Sequence, residues 1–166
     1  MDFDFCTLVK ADHEDHERAL SAMVDPATSP DELSDILDAL QLALAIHGTA
    51  EAKVLDLLRS SVRHPRDLGM AIAEARLEHV AQRSGTHELT RIRPGTLGWY
   101  ERALVFRVRM YEHARRTEET LRKLRDYVPL DVQRRLAGEY ATERMRMLAT
   151  TSPLLVADRR YGVMWS

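Results

Sequence analysis

From residue 33 to residue 58 one set of side chains advances by alternating steps of four and three: Leu33, Leu37, Leu40, Leu44, His47, Glu51, Val54 and Leu58. Only an α-helix returns side chains to one face at that spacing, so the stretch must form a long helix with a buried stripe. Two members of the stripe are out of character. His47 and Glu51 stand one turn apart where leucine is expected, and an unpaired carboxylate in a core is costly enough to demand compensation from elsewhere in the fold.

Clusters rich in proline, glycine and capping residues divide the rest of the chain: DPATSP (25–30), RHPRD (63–67) and RIRPGTLG (91–98). Between them, segments 5–24, 31–62, 67–91 and 97–128 carry helix formers at helical spacing. Asp31 and Asp67 are suited to N-caps and Pro129 to ending the fourth helix. A fifth helix is predicted over about 130–149, its many charges reading as a solvated face, and 150–166 reads as an irregular tail. No strand pattern, repeat or low-complexity tract is present. Short connections favour antiparallel neighbours, so the expected fold is all-α. It is an up-down-up-down antiparallel four-helix bundle over about 5–128 with an additional C-terminal helix and tail, in a single domain of 1–166.

Charge and composition exclude several classes of function. The 24 basic and 26 acidic side chains give a net charge of −2, which leaves no electrostatic footprint for nucleic acid or an anionic membrane. No apolar run approaches the roughly 20 residues of a membrane span, and the acidic start MDFDFCTLVKADHEDH lacks the layout of a signal peptide, so a cytoplasmic address is expected. The single Cys6 cannot form an internal disulfide. HExxH, paired zinc-type cysteines, a phosphate-cradling glycine loop and GxSxG are all missing.

The other helices repeat the anomaly of the second. Segment one offers Val9, His13, His16, Leu20 and Met23 to a core; segment three, Leu68, Ile72, Ala75, His79, Thr86 and Leu89. Segment four offers Trp99, Ala103, Phe106, Met110, His113, Leu121 and Leu124, with Glu118 five residues after the histidine. Counted from turn centres near 28, 65 and 95, His13, His47, His79 and His113 fall within roughly 3–6 Å of one level at the helical rise. By the same count His16 stands roughly 10 Å from the level of His47, so it ranks behind His13 and is left as ligand, supporting partner or solvated residue. His64 and His87 read as surface residues. Imidazole suits iron, copper and zinc. Two carboxylates able to bridge favour a pair of ions, iron foremost.

In chain order the motifs are DH (Asp12-His13), HxxxE (His47, Glu51), LEH (Leu77 to His79) and HxxxxE (His113, Glu118). They resemble the hemerythrin-like, or HHE cation-binding, domain over about residues 8–125. The resemblance implies two non-haem iron ions, with His13 and His47 on one, His79 and His113 on the other, and Glu51 and Glu118 bridging. It further implies a protein that binds, senses or reacts with dioxygen or peroxide, with nitric oxide as another small ligand. Apolar neighbours such as Leu44, Phe106 and Met110 would limit water access.

One departure bears on function. Hemerythrin has a second histidine one turn after the third-helix ligand; here that position is Arg83, and Ala75 lies one turn before. One iron would be short of a nitrogen, which disfavours reversible oxygen carriage and leaves room for peroxide, nitric oxide or an oxidisable substrate. Arg83 and Arg109 are expected at the edge of the site. The alternative readings are a diiron oxidase or oxygenase acting on a small substrate, or a metal-free helical interaction module. Assembly into a homo-oligomer is compatible with any of them.

Overall fold

The computed structural model describes residues 4–61 and 66–161, without the side chains of 60, 61, 66–68, 126 and 152–161. It consists of five helices: α1 (Phe5–Met23), α2 (Pro30–Ser61), α3 (Arg66–Leu89), α4 (Leu97–Tyr127) and α5 (Leu130–Tyr161). Among the described residues there is no strand, and no helix is long and apolar enough to cross a membrane.

The helix ends follow local chemistry. Asp4 caps α1 by accepting from the Thr7 amide, and Thr96 caps α4 by accepting from the Trp99 amide, one residue after Gly95 turns the chain at φ +78°. The cap of α2 is Ser29 rather than the expected Asp31. Its hydroxyl takes the Glu32 amide while the Glu32 carboxylate accepts from the Ser29 amide at 2.9 Å, a reciprocal box that a Ser-Pro-Asp-Glu run supplies and an Asp31 start would forfeit. Asp67 lies inside the first turn of α3 instead of preceding it. Val128, held extended ahead of Pro129, closes α4 as expected.

The C-terminal region departs most from expectation. Helix α5 does not stop near 149 but continues through Pro153 to Tyr161. A proline removes one backbone bond. The turn before it is reinforced because the Thr150 and Thr151 hydroxyls both donate to the Met147 carbonyl, at 2.8 and 2.9 Å. Residues 162–166 of the expected tail, and His64, lie outside the described residues.

Each of the first four helices packs on its chain neighbours and α4 closes back on α1, while α5 lies against α1 and α2. Two apolar clusters result. One gathers Phe5, Val9, Val54, Leu58, Ile72, Leu121, Leu124 and Leu136. The other gathers Leu20, Met23, Leu33, Leu37, Leu40, Leu44, Leu89, Trp99, Phe106 and Met110, with the Trp99 indole donating to the Met23 carbonyl. Along every one of the first four helices the residues between these two clusters are polar and buried: Asp12, His13 and His16; His47 and Glu51; His79 and Gln82; His113 and Thr117. The apolar clusters thus act as plugs above and below a polar layer. They exclude water from it and supply the burial energy that offsets its desolvation.

Candidate metal centre

The layer is made by helical register. Steps of three and four bring His47 and Glu51 to the same inner face of α2, and His113 and Thr117 to that of α4. Gly48 makes room on the α2–α3 contact, since a Cβ there would stand 3.2 Å from the His79 ring. The imidazole rings of His13 and His47 have centroids 5.0 Å apart, those of His13 and His113 5.4 Å, and those of His79 and His113 5.3 Å. His16 is nearer than its level along the helix suggested: its ring centroid is 5.1 Å from that of His47. One turn of α1 carries both histidines inward, and the His47 ring reaches both.

Three of the imidazoles have their Nδ1 side occupied. His47 Nδ1 donates to the Tyr140 hydroxyl at 2.8 Å, and that hydroxyl donates to Asp12 Oδ2 at 2.5 Å. His113 Nδ1 donates to Glu78 Oε2 at 2.6 Å, and His13 Nδ1 faces Glu118 Oε1 at 3.4 Å. Such partners fix the ring orientation and leave Nε2 for another role. The Nε2 atoms of His13 and His113 are buried without a hydrogen-bond partner, as is Glu51 Oε1. His13, His47, His113 and Glu51 each offer a ligand atom, and these atoms all lie within 4.8 Å of one another. Buried polar atoms without partners are rare in folded proteins. Several of them pointing at one another is what a donor set for a cation looks like.

His79 and Glu118 stand outside that quartet. His79 Nε2 approaches Glu51 Oε2 at 3.0 Å, the same oxygen that lies 3.0 Å from His47 Nε2, and His79 Nδ1 has no partner. Glu118 sits on the rim, its side chain 39% exposed, against the Nδ1 edge of His13. Arg83 does not reach the site edge. It is exposed, and Gln82 takes the buried position after His79 because the inner face of α3 runs Ala75, His79, Gln82, Thr86.

The charges are arranged around His47. Burial pushes the His13 and His16 rings down to about 3, and the neighbouring His47 charge adds to the effect. Burial also opposes a charge on His47, but Asp12 and Glu51 outweigh it and lift this ring to about 9. Burial likewise works against Glu51, and hydrogen bonds from His47 and His79 overcome it, so the carboxyl lies well below its usual range. The charged forms of His47 and Glu51 thus support one another across 3.0 Å, and a cation held at His47 Nε2 would take the place of its proton.

Helix α5 contributes more than the expected solvated face. Tyr140 is fully buried, with its phenol pushed up by burial and by the Asp12 charge. Arg144 pairs with Asp12 Oδ1 at 2.9 Å, and the buried Glu143 receives Lys53 at 3.2 Å. The four-residue step from Leu136 to Tyr140 is the sequence signal for this inward face. Nothing in it indicates that the phenol meets a histidine of α2. Glu78 was equally hidden, being an ordinary surface-type residue beside His79.

No family model, curated protein or solved structure matches the chain.

Proposed function

We propose that this chain is a cytoplasmic, non-haem diiron protein of hemerythrin-like type that binds, senses or reacts with dioxygen or peroxide. The observation that carries the reading is the quartet of His13, His47, Glu51 and His113, whose buried donor atoms converge between two apolar plugs. In this reading the first four helices form an up-down-up-down bundle and α5 is an addition that supports it. Neutral imidazoles and a carboxylate are donors that suit ferrous and ferric iron, and the unpartnered atoms fit that demand. Glu51, between His47 and His79, would be the carboxylate that holds the metal, with Glu118 as the acid available at the rim. Iron held by these residues would supply the electrons for chemistry on dioxygen or peroxide. The protein's part is to hold the rings by their Nδ1 edges, to keep water out with Leu44, Phe106 and Met110, and to balance charge through Asp12 and Glu51.

A mononuclear centre is the second reading. It is favoured by the compactness of the quartet and by Glu118 lying off it. Stoichiometry separates the two: aerobically purified protein is expected to carry close to two irons per chain, with near-ultraviolet absorption from bridged ferric ions. One iron per chain, unchanged on anaerobic addition of ferrous ion, selects the mononuclear centre. Protein that takes up none under either condition ends both readings and leaves the helical interaction module.

Within the DHEDH stretch, His13→Ala is expected to lower iron content more than His16→Ala. His13 belongs to the quartet, whereas His16 offers the layer an unpartnered Nδ1 from outside it. Iron analysis of the two variants prepared in parallel checks this. The reverse order would move the first-helix ligand by one turn.

A further inference from the structure

Between α3 and α4, beside His113, lies a pocket of about 150 Å³. Phe106 and Met110 form its apolar wall, His113 is part of its lining, and its charged groups are Arg109 and Arg116 with the carboxylates Glu78 and Glu112. Arg116 is paired with Glu78, and Arg109 has no ion-pair partner among the described residues. The wall is held in place from behind: Gly85 of α3 approaches the Phe106 ring so closely that a Cβ there would stand 2.6 Å from it.

One group in the pocket is out of balance. Gln82 is 6% exposed, and its Nε2 is buried with no hydrogen-bond partner. An amide N–H kept from water and left unpaired is a standing cost that a leucine would not carry. Gln82 lines the pocket, and a turn of its amide toward that space would let a ligand oxygen satisfy it. The size of the space also limits the occupant, because an apolar cavity of about 150 Å³ accommodates a benzene-sized molecule. Binding pockets of this kind combine apolar walls with a few polar groups that fix orientation.

We propose that the α3–α4 pocket binds a molecule of single-ring size with an apolar body against Phe106 and Met110 and a hydrogen-bond-accepting oxygen on Gln82. Its binding is independent of metal; its role as a co-substrate beside His113 rests on the iron reading above. Carboxylate and amide head groups share the accepting oxygen, and with Arg109 and Glu112 both at the pocket the comparison of the two probes decides between them.

Titration of the full chain with benzoate, benzamide and toluene tests this, followed by NMR on the metal-free and the iron-loaded forms, with iron measured on the same samples. Benzoate and benzamide are expected to bind more tightly than toluene and to shift the Gln82 side-chain amide signals. Gln82→Leu is expected to weaken both at least about tenfold while raising the melting temperature, since it removes an unpaired buried donor. Ala81→Trp, at an exposed lining position, is expected to block binding without disturbing the core. The proposal is overturned if neither oxygen-bearing probe binds the wild-type chain, or if Gln82→Leu and Ala81→Trp bind them as the wild type does. An iron-loaded chain that ignores the probes loses the pocket and keeps the metal centre. A chain that binds them but takes up no iron does the opposite.

Discussion

Glu51→Gln is expected to abolish or halve iron binding while leaving a folded helical protein. Glu51 has no solvent exposure, one oxygen within 3.0 Å of both His47 and His79, and the other oxygen without a partner. Glutamine preserves that shape and removes the charge that two cations would share. Glu51→Leu also loses the metal but differs in the metal-free state. It restores the apolar stripe of Leu44, Val54 and Leu58, and it deletes the unpaired oxygen and a buried negative charge. His47 keeps its Nδ1 bond to Tyr140 and the Asp12 carboxylate beside it, so no uncompensated ion is left behind. Replacing a buried ionic group by a packed hydrophobe is neutral or stabilising by about 1–4 kcal/mol in comparable cases. Melting in chelator should therefore find Glu51→Leu at or above metal-free wild type, whereas in iron the order reverses because only wild type gains from ligand binding. Full iron content in both variants would remove Glu51 from the donor set.

The second large effect is expected at Asp12. This buried carboxylate accepts the Tyr140 hydroxyl at 2.5 Å, faces His47 Nδ1 at 3.4 Å and pairs with Arg144 at 2.9 Å. Hydrogen bonds from His47 and Tyr140 hold it below the usual carboxylate range against the opposing effect of burial. Asp12→Ala strands three partners at once, a half-buried guanidinium among them, and breaking a buried pair in this way costs about 3–5 kcal/mol. It also removes the acceptor that orients the Tyr140 hydroxyl on His47, and loss of such an orienting partner typically lowers metal affinity about 10- to 100-fold. Tyr140→Phe removes only the bridging hydroxyl and leaves Asp12 near His47, so both effects should be smaller, on the order of 1–3 kcal/mol in stability. Urea titration of the metal-free variants and chelator competition for iron measure the two quantities separately. If Asp12→Ala matched wild type in both, the α5 network would have no part in holding His47.

Much of the molecule is determined by sequence alone, because helical periodicity is a local property. The alternation of three and four from Leu33 to Leu58 commits α2 to one buried face whatever surrounds it, and the same count turns His13, His79 and His113 inward on their own helices. That His47 and Glu51 interrupt a leucine seam is visible without any structure, as is the need for something to compensate them. Helix ends governed by neighbouring residues were legible to within a turn for α1 to α4. The Ser29 box at α2 was misread by two residues because Asp31 is an equally good cap in isolation.

What tertiary structure alone decided is how the helices are rotated and offset against one another, a quantity no single segment encodes. An offset of a few residues separates a His16 remote from His47 from one whose ring lies 5.1 Å away. A small rotation of α3 exposes Arg83 and buries Gln82. Helix α5 has no seam like that of α2, and only its position against α1 and α2 turns Tyr140 and Arg144 into partners of Asp12 and His47. Glu78 bonds across to His113 for the same reason. The inward direction of a side chain is set by its own helix; the atom it meets there is set by another.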